Sequence, residues 1–89
     1  MKIKVRIKTV GKIERGEKRD SSGTWCARTI ILEEDGSLYP DRFVTRISGE
    51  AAENFQWEEG STAMATLSFS VREHNERMFQ EIFLSNLEM

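Results

Sequence analysis

Residues 61–84 constrain the fold more than any other stretch. There Ala63, Ala65, Leu67, Phe69 and Val71 alternate with Thr62, Met64, Thr66, Ser68, Ser70 and Arg72, the two-residue period of a strand with one buried face and one wet face. The apolar set is expected to point inward. The polar run Glu73, His74, Asn75, Glu76, Arg77 interrupts the alternation and residues 78–84 resume it, which predicts a hairpin with a longer loop. Asn75 is the residue of that loop best suited to a left-handed conformation.

The remaining chain supplies partners for this hairpin. In residues 2–14, Ile3, Val5, Ile7 and Ile13 share one parity with Thr9 and Gly11, and Lys4, Arg6, Lys8 and Lys12 share the other. This predicts a long strand with a basic outer face, bent or bulged at Gly11. Residues 15–23 contain no hydrophobe, two Gly and two Ser, and read as an exposed loop. Residues 24–34 are rich in β-branched residues and predict a second strand. Ile30, Ile31 and Leu32 do not alternate, so either both sides are covered or a bulge shifts the register. A third strand follows Pro40, with Phe43, Thr45 and Ile47 toward the core and Arg42, Val44 and Arg46 outward. Residues 48–55 predict a two-turn helix started by Ser48, held in place by Ala52, Phe55 and Trp57 against an open end of the sheet.

Composition narrows the function. The 89 residues suffice for one domain with a small core. Cys26 and His74 stand alone in their types, so neither an internal disulfide nor a zinc-type ligand set is expected. No apolar run reaches the roughly 20 residues that span a bilayer, and residues 1–6 alternate charge with hydrophobe instead of forming a signal core. A cytoplasmic protein without metal, cofactor or membrane partner is the expectation. Net charge is slightly acidic, yet residues 1–28 hold nine Lys or Arg against three Asp or Glu, and residues 29–89 hold four against twelve. Catalysis has no anchor, since there is no phosphate-binding glycine loop, no serine elbow and no base beside Cys26.

Five strands with a short helix between the third and fourth is the plan of the OB-fold, an all-β, five-stranded, partly open Greek-key barrel. Gly11-Lys12-Ile13, Trp25, Ile30-Ile31-Leu32-Glu33, Tyr39-Pro40, Ser48-Gly49-Glu50, Phe55, Glu59-Gly60, Leu67-Ser68-Phe69, Arg72-Glu73, Asn75, Arg77 and Phe79 together resemble a small family of uncharacterised bacterial OB-fold proteins. That family is similar to bacterial single-stranded DNA-binding proteins. The resemblance implies a single OB-fold domain over residues 1–89 that binds single-stranded nucleic acid, DNA in preference to RNA, with weak sequence preference and no chemistry. Two features depart from the single-stranded DNA-binding pattern: Ser48 stands where a Trp often precedes the strand-to-helix glycine, and the flexible acidic-tipped tail is missing.

On an OB-fold, aromatic side chains stack on bases and basic ones follow phosphates, on the outer face of strands two and three and the loops after strands one and four. The residues at those places are Lys18, Arg19 and Trp25 in the first loop, Arg42 and Arg46 on the third strand, and Arg72, Arg77 and Phe79 on the hairpin, with Arg15 and Arg28 adjacent. Each has a plainer alternative. Trp25 could cover the end of the barrel, and Arg42 and Arg46 could pair with nearby carboxylates. Phe79 and Phe83 face outward if Ile82 and Leu84 are core, which could build a homo-oligomeric interface instead. A protein-interaction or oligomerisation module is therefore the competing expectation.

Overall fold

The computed structural model describes residues 1–18 and 22–89. Its strands are β1 (Lys2–Val10), β2 (Glu14–Glu17), β3 (Thr24–Glu34), β4 (Arg42–Ser48), β5 (Thr62–His74) and β6 (Arg77–Glu88), with one short helix, α1 (Glu50–Glu53). The pairings run β1-β5-β6-β4-β3 and return from β3 to β1, so five strands close a ring. β2 extends the sheet beyond that ring by pairing with the first residues of β3. All pairs are antiparallel except β4 with β6, which meet in parallel at Arg46 and Phe83.

The ring closes because β1 has two partners. Val5 lies opposite Glu34 of β3 and Ala63 of β5. Between Ile7 and Thr9 the register with β3 slips, and the bulge at Lys8 flips the parity, so Val10 packs on the core and Thr9 turns out. The expected single strand over residues 2–14 is thus β1, a break at residues 11–13, and β2. Gly11 sits at the break because its amide bonds to Thr29 O at 2.8 Å, and a Cβ there would lie 2.7 Å from the same oxygen.

Two other expectations are corrected. Residues 15–17, read as loop for lack of hydrophobes, are strand: ladder hydrogen bonds to β3 hold them with exposed side chains. The hairpin between β5 and β6 turns over two residues only, Asn75 (φ 50°) and Glu76 (φ 63°), between the paired His74 and Arg77. Two consecutive positive φ values match the twist of the flanking strands, so the expected longer loop is not needed.

Val5, Ile7, Ile30, Leu32, Ala65 and Leu67 fill the interior. Thr45 is buried among them, its hydroxyl donating to Ile30 O at 2.7 Å, as a buried polar group must. The helix is shorter than expected: Ser48 ends β4, and Gly49 at φ 63° starts the turn without a side-chain cap. It is held by packing, with Ala52 fully buried and Phe55 and Trp57 half-buried against the core, closing one end of the ring.

β5 and β6 outrun the ring. Beyond Ser68 and Phe83, where β6 meets β4, they continue as a two-stranded arm, on which Phe69 is 48% exposed, Val71 66% and Met78 74%. The apolar set expected to point inward does so only as far as Leu67. The arm lengthens the molecule, whose radius of gyration is 14.2 Å against about 12 Å for a compact chain of this size.

Candidate nucleic-acid interface

Burial of Ile30, Leu32, Thr45 and Ile47 sends the alternate side chains of β3 and β4 to the outer face. The register then sets them in rows: Ile31 beside Val44, Glu33 beside Arg42, and Thr29 beside Arg46. The last row continues across the parallel contact to Phe83 and on to Ser68. Thr29, Arg46, Phe83 and Ser68 therefore form one line across four strands, with all four side chains exposed.

The cations of this face differ in their partners. Arg42 Nε donates to Glu33 Oε2 at 2.8 Å, and Arg72 Nη1 to Glu81 Oε1 at 3.4 Å. Arg46 has no ion pair or side-chain hydrogen bond with any described residue. Exposed ion pairs are weak and yield readily to a stronger anion, but Arg46, unlike Arg42 and Arg72, offers its full charge without displacing a carboxylate.

Trp25 lies at the head of β3, opposite Gly16. A Cβ on Gly16 would come within 2.6 Å of the indole, so the ring rests on the glycine backbone with 39% of the residue exposed. Beside it a cleft of about 430 Å³ is lined by Arg15, Lys18, Trp25, Glu50 and Glu53, among others. Arg15 Nη1 donates to Glu53 Oε1 at 2.7 Å, and this hydrogen bond raises the guanidinium pKa above its ordinary value. Lys18 borders the cleft without a side-chain bond to a described residue.

The remaining expected site residues scatter. Phe79, 47% exposed, faces outward beside Arg72 on the arm. Arg77 stands exposed at the tip, opposite His74. Arg28 belongs to the other face: it shares parity with Ile30 and Leu32 and lies opposite Ile47, with its Nε buried and without a hydrogen-bond partner. Arg19 lies outside the described residues. Phe83, which the sequence reading placed in an interface, is the aromatic that touches the row of Arg46. Its parity with Phe79 was the available signal, but no sequence feature shows that β4 runs beside β6.

Among the described residues no three His, Cys, Asp or Glu side chains converge as metal ligands, and no helix is long and apolar enough to cross a membrane. Compared with protein-family models, curated proteins and solved structures, the chain matches none.

Proposed function

We propose that the ring of five strands is an OB-fold barrel and that its outer face binds single-stranded nucleic acid without chemistry. The fold reading rests on the pairing order, on the single parallel contact, between the strand before the helix and the last strand, and on a helix between β4 and β5 that closes one end. The functional reading is carried by one observation: Arg46, free of carboxylates, and Phe83 are register neighbours on the exposed face. A guanidinium for phosphate beside a ring for a base is the minimal unit of strand binding. Trp25 and Lys18 at one end and Phe79 on the arm extend that unit beyond a single nucleotide. The preference for DNA over RNA rests on the family resemblance alone.

Among the described residues Arg46 and Lys18 are the unpaired cations at the exposed row and the Trp25 cleft, and with so few charges at those places the salt dependence should be shallow. Each neutralised phosphate contributes a slope of about −0.7 in log affinity against log salt for single strands, and Arg46 with Lys18 would give a slope of about −1 to −2. Fluorescence anisotropy of a labelled oligo-dT, titrated at low and moderate salt with duplex DNA as control, tests this directly. Arg46→Ala should lower affinity for every sequence and remove about one phosphate from the slope. No binding at low salt, where attraction is least screened, would end the strand-binding reading.

A second reading has its own observation. The exposed Phe69, Val71 and Met78 on the arm form an apolar surface on the face opposite Phe79 and Arg72, of the kind that marks an association site.

A further inference from the structure

The arm has an open edge whose hydrogen-bonding groups can be assigned. Leu67 exchanges two backbone bonds with Met1, at 2.7 and 3.0 Å, so its N–H and C=O point away from β6. From Leu67 to His74 the β5–β6 register runs without a shift. Phe69, Val71 and Glu73 therefore share the orientation of Leu67 and direct their N–H and C=O groups outward, and among the described residues none of them finds a partner there. Met1 bounds this edge at one end and the turn at Asn75 bounds it at the other.

We propose that this edge pairs with the same edge of a second copy of the chain, antiparallel, about a two-fold axis at Val71. That register sets Val71 opposite Val71 of the second copy and Phe69 opposite Glu73, in both directions. All six outward groups on each chain are then bonded, and the tip of one arm stops where Met1 of the other begins. On the opposite face Ser70 meets Arg72, so no like charges stand opposite one another. Moving the axis to Ser70 would drive Glu73 into the place held by Met1, and moving it to Arg72 would set two arginines face to face. The exposed Phe69 and Val71 of the two copies would meet on one face, with Glu73 of each copy between its own Met78 and Phe69 of the other, and the outer faces carrying Arg72 and Phe79 would lie side by side. The proposal stands apart from strand binding, because it uses the edge and the other face of the arm.

Sedimentation equilibrium on the whole chain should give twice the mass of one chain, falling toward one on dilution. Val71→Lys, at a position already exposed, should leave circular dichroism unchanged and return the mass to that of one chain, because it sets two ammonium groups opposite each other. With Cys26→Ser as background, Val71→Cys should form a disulfide-linked dimer on mild oxidation, since paired Cα atoms about 5.5 Å apart are within disulfide reach. Glu73→Cys should not, its copy lying about 13 Å away along the strand. The mass of a single chain at every concentration would overturn the proposal. So would a dimer that survives Val71→Lys, or one that cross-links through residue 73 and not residue 71.

Discussion

The two halves of the β5–β6 hairpin obey the same alternation and meet different fates. In the ring half, Ala63, Ala65 and Leu67 are buried beneath β1 and the strands across the interior. In the arm half, Phe69 and Val71 continue the same face with no strand above them. Periodicity therefore decides which way a side chain points, whereas burial depends on what stands opposite. That second condition is set by the lengths of β1 and β4, which lie elsewhere in the chain.

The sharpest way to break this comparison is a pair of truncations on one face. Leu67→Ala should cost about 2–5 kcal/mol in chemical denaturation, as expected for a buried leucine, whereas Val71→Ala, four residues along, should cost less than about 0.5 kcal/mol. Equal costs would mean that the arm is covered in solution. Next in size is Gly11→Ala. Its new Cβ would press on Thr29 O at the bend where β1 leaves the ring, and an overpacked contact of this kind costs about 1–3 kcal/mol. The smallest effect has the opposite sign. Glu76→Gly at the arm tip relieves a positive φ at a non-glycine residue, worth about 1–2 kcal/mol, against about 0.5–1 kcal/mol of added chain entropy, so the net stabilisation should be small and visible in the melting temperature only if the arm unfolds together with the ring.

Much of this was legible in the sequence, and the exceptions have physical reasons. The bounds of β3 follow from its β-branched run, and the facing of Phe43, Thr45 and Ile47 from plain alternation. The bulge at Lys8 was hidden because an extra residue in a strand leaves no mark when its neighbours are Ile7 and Thr9. The two-residue turn was hidden because glutamate is a poor occupant of a positive-φ position. In the candidate site, parity was enough to put Arg42 and Arg46 on one face. It could not show that Glu33 would stand beside Arg42 while Arg46 would stand beside Thr29 and Phe83, because register is a property of strand pairs. Arg28 could have been excluded from that face, since it shares parity with Ile30 and Leu32.

The double pairing of β1 has a further consequence, in time instead of space. Met1 bonds to Leu67, 66 positions downstream, so β1 lacks its full set of neighbours until β5 has been made. β3 can pair with it early, and β4 with β3, but their apolar faces stay uncovered until residues 62–67 have been made. Refolding should accordingly fall in the millisecond-to-second range of proteins built on distant strand pairs, measurable by stopped-flow fluorescence of the two tryptophans. During synthesis, a nascent chain cut short of β5 should be captured by chaperones that a chain of full length escapes.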